Sequence, residues 1–223
     1  MADTMLTDEE LQAKVLDELR WNPEVKPTDV GIEVDDGVVT LTGTVESYPM
    51  KVAAEKAAHR VRGVRAVAND IHVTLPFERT RSDTEIAAAA AHALGWNTQI
   101  PVERVNLTVR VGWITLDGEV DWAYQKESAE MAVRNLTGVR GVTNILHIAS
   151  TFTMAPQEVR FMIEEALKRN AELDAQRIRV ETADGKVILS GTVRSWAERQ
   201  EAEYAAWAAE GVSDVENRIT VSV

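Results

Sequence analysis

The stretch that decides the fold is Val38-Val39-Thr40-Leu41-Thr42-Gly43, an alternating β-strand pattern that ends in glycine. It returns 75 residues later as Trp113-Ile114-Thr115-Leu116-Asp117-Gly118, and 73 residues further on as Lys186-Val187-Ile188-Leu189-Ser190-Gly191. The same two offsets relate other equivalent residues without gaps: Gly37, Gly112 and Gly185; Lys51, Lys126 and Arg199; Gly63, Gly138 and Gly211; Asn69, Asn144 and Asn217. Repetition at a nearly fixed spacing indicates a duplicated structural unit. We therefore predict three homologous domains, residues 7–76, 82–150 and 155–223, named copy 1, copy 2 and copy 3 below.

Each copy is predicted to begin with a helix. Thr7 and Glu10, and likewise Ser82 and Glu85, have the spacing of a capping box, in which a hydroxyl and a carboxylate each accept a free backbone N–H. Copy 3 has Pro156 near the first helical position instead, where the missing N–H costs nothing.

A hairpin, a second helix and a last strand are predicted to follow. Asp36-Gly37 and Asp184-Gly185 favour a tight hairpin turn, since glycine accepts a positive φ. The second helices are expected to begin near Ser47, Asp121 and Ser195 and to stop at the glycines Gly63, Gly138 and Gly211. The order α-β-β-α-β predicts an α+β fold of three tandem small domains, each a three-stranded mixed sheet covered on one face by two helices.

Composition excludes several classes of protein. The chain has 223 residues, no cysteine and a formal net charge of −12. Disulfides, thiolate metal sites and a cysteine nucleophile are therefore excluded. An acidic surface repels phosphate, so no nucleic-acid partner is expected. No stretch of about 18 uncharged apolar residues is present, which argues against a membrane-spanning helix.

The N-terminus shows no secretory signal. Residues 1–5 contain neither a basic segment nor an apolar one. A cytoplasmic location is therefore expected, and the periplasm or envelope is the alternative if a leader has been removed.

The repeated motif resembles the BON domain family, also called the transport-associated or phospholipid-binding domain, first noted in bacterial osmotic-stress and envelope proteins. In copy 1 the residues that carry the resemblance are 43–45, 51, 54, 63–64, 67, 69, 71 and 73. Copy 2 departs from the motif at Asp121, where the serine is missing, and copy 3 keeps Ser195. The resemblance extends over nearly the whole chain.

The resemblance implies a non-enzymatic module that associates with membrane lipid or a hydrophobic ligand in the envelope or osmotic stress response. It leaves two alternatives: an oligomeric transport-associated protein that carries or admits small solutes, and a module that senses potassium or another cation. No cofactor and no metal site is expected.

The candidate ligand or membrane contacts lie at the start of the second helix. They are an aromatic residue and a cation in each copy: Tyr48 and Lys51, Trp122 and Lys126, Trp196 and Arg199. An aromatic ring beside a cation suits an anionic lipid head group. The alternative is that the rings are half-buried cover for the core and that the cations lie over the sheet edge.

The charge of the copies predicts which of them an anionic lipid prefers. Residues 1–76 carry 8 basic and 14 acidic side chains, residues 77–150 carry 7 and 9, and residues 151–223 carry 9 and 13. The net charges are therefore −6, −2 and −4. Copy 2 is the least repulsive to an anion.

Two further tryptophans are candidates for self-association. Trp113 is predicted on the sheet face away from the helices, and Trp207 occupies a position that is His59 in copy 1 and Arg134 in copy 2. An indole where other copies are polar suggests cover by another copy or another chain, so a homo-oligomer is expected.

Other aromatics are expected to pack within the protein. Trp21 and Trp96 match each other at the end of the first helix, and Phe77 and Phe152 match in the linkers. We expect each linker phenylalanine to dock into the preceding domain.

No catalytic motif is visible. Nucleophile elbows, phosphate loops and metal-binding His/Glu patterns are missing, and the three copies share no acid, base and nucleophile set. The sequence therefore predicts a protein that is not an enzyme.

Overall fold

The computed structural model describes residues 6–149, 154–170 and 175–221. Copy 1 contains α1 (Asp8–Trp21), β1 (Val30–Asp35), β2 (Val38–Val45), α2 (Tyr48–Arg60), β3 (Ala66–Asn69) and β4 (His72–Val73). Copy 2 contains α3 (Asp83–Trp96), β5 (Val105–Arg110), β6 (Trp113–Val120), α4 (Ala123–Arg134), β7 (Gly141–Asn144) and β8 (His147–Ile148). Copy 3 contains α5 (Pro156–Arg169), β9 (Ile178–Ala183), β10 (Lys186–Val193), α6 (Trp196–Trp207) and β11 (Asp214–Val221).

The second strand is the centre of each sheet. In copy 1, β2 pairs antiparallel with β1 and parallel with β3. Copies 2 and 3 repeat this arrangement around β6 and β10. The last strand is continuous in copy 3 but consists of two short segments in copies 1 and 2. The predicted α+β fold, with a mixed sheet in each of three tandem copies, is confirmed.

Apolar residues spaced for one helix face form the core with the central strand. Leu11, Val15 and Leu19 of α1 are each at most 2% exposed. Val39 and Leu41 of β2 are fully buried. Burial of one such side chain stabilises the fold by about 1.5–3 kcal/mol.

The first-helix caps form as predicted. Thr7 and Ser82 each complete a capping box with the glutamate three residues later. Pro156 begins α5 at the position where its missing N–H is harmless. Ser195 accepts the Glu198 N–H, but Glu198 accepts instead from the Arg194 N–H.

Aspartates of the first helix hold the hairpin turns of copies 1 and 2. The Asp8 carboxylate accepts the N–H groups of Asp36 and Gly37, each at 3.0 Å. In copy 2, Asp83 accepts the equivalent pair, and these bonds lower the pKa of its carboxyl below the usual value. The sequence analysis missed this contact because nothing local connects the helix start to a turn about 28 residues away.

The chain divides into two compact bodies. The larger contains the described parts of residues 1–44, 50–72 and 152–223, and thus most of copies 1 and 3. The smaller contains residues 45–49 and the described part of 73–151, and thus copy 2. The domain boundaries given above stay predictions.

A glycine in the middle of the second strand lets the chain before the first strand pass close by. Gly43, Gly118 and Gly191 have φ values of 118°, 124° and 132°. A Cβ at Gly118 would overlap the carbonyl oxygen of Arg104, and the other two glycines face an equivalent carbonyl. Only glycine fits at these positions.

We predict that Gly118→Ala lowers the free energy of unfolding by at least about 2 kcal/mol, because it adds both a steric overlap and a strained φ. Urea denaturation followed by circular dichroism measures this. The matched control is Gly95→Ala in the same copy, where an added Cβ meets nothing within 4 Å. Gly95 lies inside α3, so alanine there should raise stability by about 0.5–1 kcal/mol. Equal effects of the two substitutions would contradict the prediction.

Candidate binding surfaces around the second helix

An asparagine ties the second helix to the last strand in copy 1. The Asn69 amide nitrogen donates to the Lys51 carbonyl at 3.2 Å and to Glu55 Oε2 at 2.8 Å. Its Oδ1 accepts the Ile71 N–H at 3.3 Å. One half-buried side chain therefore fixes the first turn of α2 against the sheet edge.

Copies 2 and 3 have the same hydrogen bonds from an asparagine to the second helix and the last strand, and we name this set of bonds the tie. Asn144 donates to the Lys126 carbonyl at 2.7 Å and to Glu130 at 3.4 Å. Asn217 donates to the Arg199 carbonyl at 3.2 Å and to Glu203 at 2.9 Å. The glutamate partners Glu55, Glu130 and Glu203 keep the repeat offsets, a signal that the sequence analysis missed.

Two of the three predicted contact cations are bound to the last strand. The Lys51 ammonium donates to the Ile71 carbonyl at 2.9 Å. The Arg199 guanidinium donates to the carbonyls of Ile219 and Asn217, at 3.1 and 2.9 Å. Both cationic groups therefore donate hydrogen bonds to backbone carbonyls of their own copy.

The third cation, Lys126, lies in a different environment. Burial lowers the pKa of its ammonium, and the neighbouring Glu130 opposes that shift. It is half-buried on α4 beside the helix start. The ammonium of Lys126 is therefore less engaged in hydrogen bonds to the protein's own backbone than the cationic groups of Lys51 and Arg199.

Trp196, at the start of α6 in copy 3, lies against copy 1. Its ring centroid is 4.5 Å from that of His59, and its indole N–H donates to the Arg65 carbonyl at 3.2 Å. Arg199 covers the ring, with its guanidinium carbon 4.4 Å from the centroid. Within the larger body, this predicted contact residue thus joins two copies.

The other two aromatics at helix starts differ in exposure. Tyr48 is half-buried and packs against the hydrophobic core of copy 2, within the smaller body. Trp122 precedes α4 as its N-cap residue and is 37% exposed. Tyr124, two residues later, is 50% exposed.

Trp21 and Trp96 do not pack as predicted. They are 84% and 78% exposed, at the ends of α1 and α3. Each tryptophan lies two residues after the last buried residue of its helix, Leu19 or Leu94. Two residues correspond to about 200° around the helix axis, so the indole faces away from the core. The prediction for Phe77 is also wrong, since this side chain is 90% exposed, and Phe152 lies outside the described residues.

The two self-association candidates occupy different environments. Trp113 is 46% exposed on the outer sheet face of copy 2, where its ring covers Gly141 and its N–H donates to Thr143 Oγ1 at 2.8 Å. Trp207 is half-buried and packs against the core of copy 3. Their role in self-association stays a prediction.

His59 is a titratable group in the contact between copies 1 and 3. Among the described residues, its Nδ1 is buried without a hydrogen-bond partner, and Nε2 is 3.9 Å from Glu55 Oε1. Burial lowers the pKa of His59; Glu55 raises it, and Arg199 lowers it further. The imidazole is therefore neutral in the folded protein at neutral pH.

Neither a bilayer-spanning helix nor a metal-binding cluster occurs among the described residues. No helix there is long and apolar enough to span a bilayer. The same residues contain no group of three or more His, Asp or Glu that could hold a metal ion.

Comparison with known proteins identifies relatives. The model of the BON domain matches residues 7–74, 82–150 and 157–222. The osmotically-inducible protein Y of Escherichia coli (strain K12) is 31% identical over 145 residues, which are 63% of this chain and 72% of that protein.

Two solved structures of CdsD, a structural protein of the type III secretion system of Chlamydia trachomatis, also align. They are 12% and 13% identical and cover 98% and 94% of this chain, and 100% and 91% of theirs. Both have a TM-score of 0.27, so no structural argument rests on them.

We predict that Asn144→Ala lowers the free energy of unfolding by about 2–3 kcal/mol, since three polar groups lose their partner. Urea denaturation measures this. Asn106→Ala is the control, because Asn106 is an exposed residue of β5, and it should change stability by at most about 0.5 kcal/mol. A loss at Asn144 no larger than that at Asn106 would show that the tie contributes nothing.

We also predict that acidification weakens the contact between copies 1 and 3. The folded pKa of His59 is lowered, so its stabilising contribution is complete above the unfolded value of 6.5 and is lost as the pH falls below it. From about pH 7.5 to about pH 5.5, the wild-type melting temperature should fall more than that of His59→Phe, which keeps a ring but cannot titrate.

The control for this pH dependence is Trp196→Ala, which removes the ring that covers His59. The melting temperature of Trp196→Ala should also fall less on acidification than that of the wild type. An identical pH profile for the wild type and His59→Phe would refute the role of His59.

Proposed function

The chain belongs to the BON domain family, and on that premise we propose that it is a non-enzymatic binding protein of the osmotic stress response that associates with membrane lipid or a hydrophobic ligand. The stress response is proposed from the similarity to the osmotically-inducible protein Y, whose name records its induction by osmotic stress. A non-enzymatic role is supported by the three copies, which share the backbone tie but no catalytic set.

The observation that carries this proposal is the exposure of Trp96. Its indole is 78% exposed at the end of α3 and lies 5.2 Å from the His92 ring. An indole in water loses the free energy that burial of its apolar area would give, and the membrane interface accommodates its apolar ring and its polar N–H together. Trp96 is therefore placed to enter a lipid surface or to cover an apolar ligand.

The surroundings of Trp96 support an uncharged partner. Residues 86–102 contain no Asp, Glu, Lys or Arg, although 27% of the chain is charged. An open depression of about 480 Å³ adjoins the indole, lined by Ala93, Trp96, Asn97, Thr98, Gln99 and Ala132. No charge has to leave water when this surface is covered, and the polar side chains Asn97, Thr98 and Gln99 suit a partner that can also form hydrogen bonds, such as a lipid head group.

The charge of the chain favours uncharged lipid surfaces. The net charge of −12 repels an anionic bilayer, and copy 2, with −2, opposes approach least. Trp96 belongs to this copy, as do Trp122 and Lys126. Six contact residues were proposed from the sequence. Four of them, Tyr48, Lys51, Trp196 and Arg199, contact other parts of the protein. Trp122 and Lys126 have fewer such contacts.

We predict that the protein co-sediments with phosphatidylcholine vesicles, and that Trp96→Ala weakens this binding about tenfold through the lost burial of one indole. Adding phosphatidylglycerol should reduce binding at low salt and have less effect at high salt, since salt screens the repulsion.

The matched control is Trp113→Ala, which removes an exposed indole from the outer sheet face of the same copy. It should leave binding nearly unchanged. The pair Trp122→Ser and Lys126→Gln tests the start of α4 as the alternative site. If no vesicle composition sediments the wild-type protein, lipid binding is refuted.

A further inference from the structure

The aromatic at the start of the second helix docks onto another copy in two of the three copies. Trp196 of copy 3 lies on His59 of copy 1 and donates to the Arg65 carbonyl. Tyr48 of copy 1 packs against the core of copy 2. We name this residue the docking aromatic. In both cases it contacts a copy other than its own.

The receiving position is clearest in copy 1, where the ring of His59 lies against Trp196. We name this position, at the end of the second helix, the platform. Its equivalents are Arg134 in copy 2 and Trp207 in copy 3. A contact between two aromatic rings stabilises such an interface beyond the burial of apolar area. Copy 3 therefore has the largest ring of the three at its platform.

The two observed contacts run in one direction, from copy 3 to copy 1 and from copy 1 to copy 2. Neither of these two contacts uses the helix start of copy 2 or the platform of copy 3. Copy 2 has alanine at the docking position itself, Ala123, but aromatics on both sides of it, Trp122 and Tyr124. These rings are 37% and 50% exposed, while Tyr48 and Trp196 are half-buried.

We propose that Trp122 and Tyr124 of one chain dock onto the Trp207 platform of a second copy of this chain, and so continue between molecules the contact that joins copies within one. The donor and acceptor surfaces differ, so the contact is head-to-tail and produces a ring or an open chain of molecules. This proposal does not rest on the lipid site proposed at Trp96, because none of Trp122, Tyr124 and Trp207 lines the depression beside that residue.

The first test removes the docking aromatics. Trp122→Ser with Tyr124→Ala installs the residues that copy 3 carries at these positions, Ser195 and Ala197. Serine is a favoured N-cap, so α4 is retained. Sedimentation velocity from low to high micromolar concentration should show self-association of the wild type and an association about tenfold weaker or more in the variant. Trp21→Ala, which removes a more exposed indole, should associate as the wild type does.

The second test uses the head-to-tail geometry. Trp207→Leu keeps apolar cover for the core of copy 3 but removes the ring, and circular dichroism melting confirms its fold. This variant and the Trp122→Ser/Tyr124→Ala variant should each be monomeric alone. Mixed in equal amounts, they should form a one-to-one dimer that grows no further, because each keeps one intact surface.

Three results would overturn the proposal. The wild type could remain a monomer at every concentration. It could associate equally well after both sets of substitutions. Association could depend on Trp113 instead, which would assign it to the outer sheet face of copy 2.

Discussion

The hydrogen bonds of one asparagine in each copy fix the start of the second helix against the sheet. Asn69, Asn144 and Asn217 each join the first turn of the second helix to the last strand. A net hydrogen bond contributes about 0.5–1.5 kcal/mol, but an unsatisfied buried partner costs more. In each copy the asparagine donates to the backbone carbonyl of the cationic residue, which is Lys51, Lys126 or Arg199. The aromatic residue at the start of the same helix lies one turn or less away.

Those features of the fold that depend on neighbouring residues could be predicted from the sequence. Leu11, Val15 and Leu19 were recognisable by helical spacing, and Thr7 by its capping box, because both patterns lie within a few turns of chain. The repeat supported these predictions, because similar patterns occur at equivalent positions of the copies. The strand order followed from the hairpin signal at Asp36-Gly37 and from the length of the connection to the last strand.

The features that were missed are contacts between distant segments. Asp8 looks like an ordinary first-turn acid, and its role as acceptor for a hairpin turn depends on how α1 lies across the sheet. Trp21 and Trp96 repeat as core residues do, yet both extend beyond the helix face that the sheet covers. Repetition shows that a position is equivalent between copies; whether that position is buried depends on where the neighbouring element ends.

The outer sheet faces of copies 2 and 3 differ in charge and polarity although the two copies have one fold. In copy 3, Lys186 contacts Asp214 at 3.4 Å and Glu216 at 2.8 Å. Hydrogen bonds from Arg218 and Lys186 lower the pKa of Glu216 to about 2, so this face stays charged and hydrated down to strongly acidic pH. At the position of Lys186, copy 2 has Trp113, which lies over Gly141.

A charged face of this kind must lose water and counter-charges before an apolar surface can cover it, whereas the face with the indole gains from being covered. The same reasoning applies at the start of the second helix, where the repeat offsets align Ser47 and Ser195 with Trp122 and not, as expected above, with Asp121. Trp122 places an exposed indole where the other copies have serine, and Trp113 places one where copy 1 has Val38 and copy 3 has Lys186. The asparagine hydrogen bonds of copy 2 keep the pattern of the other two copies. Copy 2 therefore differs from the other copies in the side chains that it exposes and not in its fold.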